Sequence, residues 1–328
     1  MVNMNNVLES TRFLVEHPKY VFINNHKVKE VGKEFAKEEL KIPRWDAPVF
    51  PETDDIETIV DFLCVGNLVN FAFTDFETGE TFSVNYNGHW FGAFGMWAAL
   101  KRALKETDEQ ILCGDYLKAL TKKDVEKIFA GNPPMPMLEE RQIILQEAGE
   151  ILVDKYGGHF YNLFDKANGK LFNNGDGFVE RLVNDFPSYN DSCVAYDGIR
   201  ARIVHFNKRA QLAAGMIYGR LQDKKPFQDI DKLTVFADYE LPKALREMKM
   251  LNYTKELREK VDNKIPIDAG SREELEIRAA TIHAADKLIK EIDSDYNVNA
   301  LHVDYALWSV GRNGEIKKPH HLTRTIWY

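Results

Sequence analysis

The residues best suited to chemistry in this sequence are carboxylates set among aromatic side chains. Asp238 stands between Phe236 and Tyr239, shortly before Pro242, a residue type that can open a helix. A carboxylate there could bind a ligand beside two aromatic rings. It could equally cap the helix that follows, which is the commoner use of an acidic residue in this position. The residues alone leave both interpretations open.

A second carboxylate, Asp304, lies in a segment with helical periodicity. Leu307 and Trp308 follow it by three and four residues, so all three side chains share one face of a helix. A carboxylate among large apolar groups is either paired with a partner in the core or held in a pocket for use. The spacing does not decide between these two interpretations.

Two segments offer positive charge for an anionic ligand. Lys208 and Arg209 begin a predicted helix, where the macrodipole favours an anion rather than a cation, so a bound phosphate would satisfy both side chains. Solvated surface charge is the alternative. Arg324 lies near Trp327 and Tyr328, aromatic residues that we expect to pack against the rest of the protein and to bring the arginine with them.

Several kinds of active site find no support in the sequence. The nine histidines include no HExxH pair, and no glycine-rich nucleotide loop, Walker motif or GxSxG elbow is present. Cys64, Cys113 and Cys193 are far apart and form no CxxC motif, so a disulfide framework or cysteine-rich zinc site is not expected. We therefore expect neither a metal ion nor a cofactor.

The composition limits the kinds of molecule that the protein is expected to bind. With 44% hydrophobic residues among 328, the chain can form a substantial core, and 51 acidic against 43 basic side chains give a net charge of −8. Proteins that bind polymeric nucleic acid normally present a basic face, so a small anionic ligand is favoured. No apolar run approaches the roughly 20 residues of a membrane span, and the polar start does not resemble a secretory signal. We expect a cytoplasmic protein without a membrane partner.

The elements that must position these residues are mainly helical. The period-two pattern and the Asn87-Gly88 turn predict a small antiparallel meander within residues 68–92, which we expect to be the only sheet of consequence. Elsewhere apolar residues recur with helical spacing. No linker divides the chain, so we predict one compact domain over residues 1–328, with a possible sub-division into 1–130 and 131–328. The principal predicted helices are 6–16, 27–40, 97–104, 115–120, 122–129, 138–156, 177–185, 208–221, 242–248, 253–261, 271–292 and 298–311.

Many of these segments resemble the queuosine salvage protein family, whose members act as queuosine 5′-phosphate N-glycosylases. Beyond roughly the first 50 residues, the likeness runs through the whole chain in order. The resemblance implies a helical fold similar to helix-hairpin-helix DNA glycosylases with a small added sheet. The segments that carry it are Val69–Phe73, Met96–Leu104, Leu138–Arg141, Asp185–Asp191, Phe206–Gln211, Phe236–Pro242, Glu276–Arg278, Asp304–Trp308 and Arg324–Tyr328.

The resemblance implies hydrolysis of queuosine 5′-monophosphate to queuine and ribose 5-phosphate. Breaking an N-glycosidic bond builds positive charge on the ribose, so we expect Asp304 to stabilise that charge and either activate water or act as nucleophile. Asp238 is expected to accept hydrogen bonds from the base. Lys208, with Arg324 as second choice, is expected to bind the phosphate. The candidates for stacking on the base are Phe71, Phe236, Tyr239, Tyr305 and Trp308.

This chain departs from the family pattern at a position near Asp304, and two alternative functions stay open. Many relatives carry an acidic residue shortly after the Leu-Trp of the Asp304 segment, where this chain has Ser309, so we expect the contact that this acid would make to the substrate to be absent or weaker. The fold analogy also allows a glycosylase acting on another modified base in DNA or a nucleoside. A non-catalytic protein that binds a deazapurine nucleotide is the second alternative.

Overall fold

A computed structural model describes residues 6–293, 296–312, 314, 316 and 318–328. The described residues are mainly helical, with three antiparallel strand pairs, as the sequence predicts for the class. The helices are α1 (Val7–Glu16), α2 (Asn25–Phe35), α3 (Ile56–Leu68), α4 (Gly92–Glu106), α5 (Gly114–Lys118), α6 (Lys122–Ile128), α7 (Leu138–Tyr156), α8 (Phe160–Lys166), α9 (Phe178–Asp185), α10 (Lys208–Leu221), α11 (Glu240–Glu247), α12 (Lys255–Asp262), α13 (Arg272–Glu291) and α14 (Ala300–Arg312). The strands are β1 (Val21–Ile23), β2 (Ser83–Asn85), β3 (His89–Phe91), β4 (Ser192–Asp197), β5 (Arg200–His205) and β6 (Leu251–Tyr253).

The first of two compact units carries both candidate carboxylates. It comprises Met1–Pro43, Asp191–Gln211 and Ile230–Arg324. Helix α13 lies in its core, with α1, α2 and α14 packed against it. Its alanines at 279, 280, 284 and 285 are fully buried, and such small side chains allow neighbouring helices to approach closely.

Helix α13 begins where the sequence predicts. The hydroxyl of Ser271 accepts a hydrogen bond from the Glu274 N–H at 3.3 Å. The carboxylate of Glu274, however, accepts from the Gly270 N–H at 3.2 Å rather than from Ser271. The reciprocal capping box that the Ser271 and Glu274 spacing allows is thus half formed, and the Glu274 N–H still has a hydrogen-bond acceptor.

The second unit comprises Arg44–Asn190, Leu212–Asp229 and Thr325–Tyr328. Helix α3 is buried along almost its whole length, and Gly66 leaves room for the ring of Trp97 on α4. Helices α5 and α7 meet at Gly114 and Gly149, where the two backbones come close. Tyr328 is also buried in this unit, as expected, and its main-chain oxygen accepts a hydrogen bond from the Ala72 N–H at 3.1 Å.

The sheet prediction is correct in one hairpin and wrong beyond it. Strands β2 and β3 pair antiparallel around the predicted Asn87-Gly88 turn, where both residues have positive φ. In the rest of the predicted meander, residues 70–76 contribute a single bridge, between Thr74 and Thr81. Two further antiparallel pairs exist, β1 with β6 and β4 with β5, so the meander is not the only sheet.

Each missed element has a physical reason. Helix α3 is apolar on all sides because it is buried on all sides, which hides the helical period. Strands β1 and β6 have three residues each and pair across more than 200 residues, beyond the reach of a local pattern. The β4–β5 hairpin turns through Gly198 and Ile199, a Gly-X turn that an apolar-polar alternation alone does not reveal.

Among the described residues, no helix combines the length and the apolar character needed to cross a membrane.

Candidate active site

Three charged side chains of the first unit form the candidate site, and each comes from a different segment. Lys208 is the first residue of α10, Asp304 lies in the first half of α14, and Asp238 lies just before α11. Their charges act on one another, since Asp238 and Asp304 both favour the charged form of Lys208. The structure therefore brings together three residues that the sequence separates by almost one hundred positions.

One oxygen of Asp304 is held by the backbone. Its Oδ1 accepts a hydrogen bond from the Phe236 N–H at 2.7 Å, which fixes the carboxyl against the segment before α11. No other residue in the described part of the chain donates to this carboxyl. The side chain is half-buried, so its second oxygen is the one available to a ligand.

Asp238 caps a helix, which is the alternative that the sequence left open. Its Oδ1 accepts from the Glu240 N–H at 2.8 Å and the Leu241 N–H at 3.0 Å, at the start of α11. Within the described ranges no hydrogen bond to Oδ2 is present. The residue is half-buried. Capping with one oxygen leaves the other for a ligand, so the two interpretations are compatible.

Lys208 is a buried cation without a direct partner among the described residues. The residue is 5% exposed, and its ammonium forms no hydrogen bond or ion pair with the residues that the structure describes. Burial lowers the pKa of Lys208 to about 8, against the opposing charge of Asp238. An unpartnered ammonium is costly to bury, so this position is suited to receiving an anionic ligand group.

Burial shifts the pKa values of the two carboxyls upward, opposite to its effect on Lys208. It raises the pKa of Asp304 well above its ordinary value, and the hydrogen bond from the Phe236 N–H only partly offsets the effect. It also raises the pKa of Asp238, with Lys208 as the main opposing charge. Clustered groups with perturbed pKa values are typical of functional sites.

Four of the five aromatic residues expected to stack on the base belong to the first unit, but they differ in how far their rings are exposed. Tyr239 is half-buried and packs on His320, with ring centroids 4.6 Å apart. Tyr305, 38% exposed, stacks with Trp308 at 6.4 Å between centroids. Phe236 is buried and contributes its N–H to Asp304. His320 was not among the predicted site residues, and its packing partner Tyr239 lies about 80 positions away in the chain.

Two predicted residues lie in other surroundings. Phe71 belongs to the second unit, where it is fully buried and the Arg141 guanidinium lies 4.2 Å from its ring centroid. Arg324, in the first unit, is exposed. Within the first unit, the structure thus brings Asp304, Asp238 and Lys208 together.

One group among the described residues places three potential metal ligands close together, in the second unit. It consists of Glu57, Asp61 and His159. The His159 Nδ1 lies 2.6 Å from Asp61 Oδ2, a hydrogen-bond distance, and Asp61 Oδ1 accepts from the Tyr161 N–H at 2.7 Å. This arrangement ties α3 to the start of α8 through hydrogen bonds.

Sequence comparisons point to one family. The model of the family described as queuosine salvage protein matches residues 49–328. A Sphaerobacter thermophilus protein named queuosine 5′-phosphate N-glycosylase/hydrolase is 33% identical over 330 residues, covering 98% of this chain and 97% of that protein. Proteins of the same name from Bos taurus and Mus musculus are 32% and 30% identical, each over 98% of both chains.

Proposed function

The chain belongs to the queuosine salvage protein family, and on that premise we propose that it hydrolyses the N-glycosidic bond of queuosine 5′-monophosphate to release queuine and ribose 5-phosphate. The observation that carries the proposal is the group of Asp304, Asp238 and Lys208. Each offers an atom to which no described residue forms a hydrogen bond, and the three interact electrostatically. This is the charge pattern that glycoside cleavage of a phosphorylated substrate needs.

Asp304 is the proposed catalytic carboxylate. As the base departs, positive charge develops at C1′ and the ring oxygen, and a fixed carboxylate stabilises that charge most where it is greatest. The Phe236 N–H holds Oδ1, so Oδ2 is oriented without the reorganisation that a mobile side chain would need. Both a water-activating base and a direct nucleophile require this carboxyl to be ionised.

Asp238 is proposed to bind the base. Its Oδ2 can accept from the guanine-like N–H edge or from the secondary ammonium of queuine. Queuine is a 7-deazapurine and has no N7 to protonate, so more of the barrier must be lowered at the ribose and the other ring atoms. The base is proposed to stack on partly exposed aromatic rings that lie close in sequence to Asp238 or Asp304. These rings are Tyr239, Tyr305 and Trp308.

Lys208 is proposed to bind the 5′-phosphate. With a pKa of about 8 it is mostly protonated at neutral pH, and it lacks a direct partner among the described residues. A phosphate would pair with a charge that burial otherwise destabilises. Arg324, being exposed, is the second candidate.

The finer features of fold and location complete the proposal. We infer a core similar to helix-hairpin-helix DNA glycosylases, carrying the small strand pairs as additions. The substrate is a small molecule, so neither a polymeric nucleic acid nor a membrane is a partner, and the reaction needs no cofactor because water is the co-substrate. The cytoplasm, where nucleotides from RNA turnover are found, is the proposed location.

A direct assay tests this function. The purified protein is incubated with queuosine 5′-monophosphate, queuosine or guanosine 5′-monophosphate, and free base is measured by chromatography. We expect release of queuine from the first substrate, less from the second, and no guanine from the third. A folded protein that releases no base from any of them would contradict the proposal and favour a binding protein.

A further inference from the structure

We propose that Asp191 and Arg278 are positioning residues that fix the backbone at the start of α10 and thereby place Lys208 in the site. The inference rests on the proposed function and extends it to two residues outside the group that contacts substrate. Both residues lie in segments that carry the family resemblance, yet the reaction itself gives neither a role. The observations concern the first unit alone.

Asp191 binds the turn before α10 through several atoms. Its carboxylate Oδ2 accepts from the Lys208 N–H at 3.2 Å. Its main-chain carbonyl accepts from the Phe206 N–H at 2.9 Å and the Asn207 N–H at 3.3 Å. Three consecutive N–H groups ending at Lys208 are therefore held by one residue, which sets the direction in which the lysine side chain leaves the helix.

Arg278 fixes Asp191 in turn. Its Nη1 donates to Asp191 Oδ1 at 3.0 Å and its Nη2 donates to Asp191 Oδ2, a bidentate arrangement. The same guanidinium lies 3.9 Å from the ring centroid of Phe206, so it also packs against the turn. Arg278 is on α13, the buried helix of this unit, and the pair anchors the turn to that helix.

The turn itself is held in an unfavourable conformation. Asn207 has a φ of +51°, and both polar atoms of its buried side-chain amide lack a hydrogen-bond partner among the described residues. Asp191 and Arg278 are 3% and 2% exposed, and a buried ion pair is seldom more stabilising than apolar residues of similar size. Stability therefore does not explain this costly arrangement. The hydrogen bonds from Asp191 to the backbone around Lys208 do explain it, because they fix the position of the lysine.

A double-mutant cycle tests the proposal. If Asp191 acts through Lys208, then Asp191→Asn should lower kcat/KM for queuosine 5′-monophosphate by about 10- to 100-fold in the wild-type background. In the Lys208→Ala background the same substitution should change kcat/KM by no more than about twofold, since there is no ammonium left to place. A purely structural residue would give equal losses in both backgrounds.

Glu276→Gln is the matched control. Glu276 lies two residues from Arg278 on α13, is buried, and accepts hydrogen bonds from the N–H groups of Lys19, Tyr20 and Val21. It holds a backbone segment that does not lead into the site. We expect Glu276→Gln to lower the melting temperature as much as Asp191→Asn while leaving kcat/KM within about threefold of wild type.

All rates are measured below the melting temperatures of the variants, with near-UV circular dichroism as the check on folding. If Asp191→Asn does not fold, Arg278→Lys takes its place, because it keeps the charge and loses the bidentate contact. Two results would overturn this proposal and leave the proposed function intact. One is an equal loss of kcat/KM on Asp191→Asn in the two backgrounds, and the other is no loss of kcat/KM on Asp191→Asn when the wild-type protein is active. An inactive wild type would overturn the proposed function and this proposal with it.

Discussion

Asp304 divides its two oxygens between the fold and the ligand, and this makes its replacement informative. An asparagine can still accept the Phe236 N–H through its amide oxygen, so Asp304→Asn should fold normally. It cannot carry the negative charge that the transition state needs. We expect kcat to fall by about 100- to 1,000-fold with little change in KM, measured as the initial rate of queuine release. A variant that retained more than a tenth of wild-type kcat would exclude Asp304 as the catalytic carboxylate.

The pH dependence of the reaction should reflect two groups with shifted pKa values. Burial raises the pKa of Asp304, so the active carboxylate forms only as pH rises through a value higher than that of an ordinary aspartate. Burial lowers the pKa of Lys208 to about 8, so the cation proposed to bind phosphate is lost above that pH. We expect kcat/KM to follow a bell-shaped curve between these limits.

A substitution at Lys208 tests whether this lysine causes the fall of kcat/KM at high pH. The charged groups that act on Lys208 are Asp238, Asp304, Arg209 and Arg278, and all of them remain in Lys208→Arg. Because a guanidinium does not titrate in this range, Lys208→Arg should lose the alkaline limb even if its activity is lower. An unchanged limb would assign it to another group.

Lys208 also carries a stability cost that can be measured. Its pKa falls from 10.5 to about 8 on folding, so between these values the unfolded state binds more protons and stability increases as pH rises. Below pH 8 the full cost is present, about 3 kcal/mol from the pKa difference. Lys208→Met should therefore raise the melting temperature at pH 7, and the gain should shrink toward pH 10.5. Thermal unfolding at both pH values checks this, and a gain that does not depend on pH would point to packing instead.

At the scale of elements, the close contact of α5 and α7 depends on a missing side chain. A Cβ at Gly149 would lie 2.3 Å from the Lys118 backbone nitrogen and 2.7 Å from the Gly114 carbonyl oxygen. Because backbone atoms cannot move aside cheaply, Gly149→Ala should lower the free energy of unfolding by about 2 kcal/mol. The neighbouring exposed residue gives the control, since Glu150→Ala should change it by less than about 0.5 kcal/mol. Urea denaturation compares the two.

The sequence predicted helices best where residue types mark their ends. The bounds of α7 and α10 agree with the prediction to the residue. Helix α7 ends at Tyr156, and Gly157 after it adopts the left-handed conformation typical of a helix stop. Helix α3 has no such period because every face is buried. The proposed role of Asp191 could not be predicted from the sequence either, because it depends on contacts to residues 17 and 87 positions away. Local patterns contain no information about such distances.

At the scale of the whole molecule, the net charge of −8 bears on the substrate. A mononucleotide has no layer of condensed counterions, so salt only screens its charge, and kcat/KM should fall no more than about fourfold between 50 and 200 mM salt. A glycosylase acting on duplex DNA makes many phosphate contacts and would lose about a thousandfold or more in affinity over this range. Assays of the mononucleotide at several salt concentrations, with a gel-shift experiment on duplex DNA, distinguish the two.

Asp238 has a consequence for how this chain can change over generations. The same carboxyl caps α11 through one oxygen and is proposed to receive the base through the other. A substitution there that leaves no side-chain acceptor also removes a helix cap, so it lowers stability at the same time. Mutational drift at this position therefore needs a compensating change elsewhere, whereas Ser309, exposed on α14, can vary without that restriction. We therefore expect new specificities to arise through such exposed neighbours rather than through Asp238, which caps α11 and is proposed to bind the base.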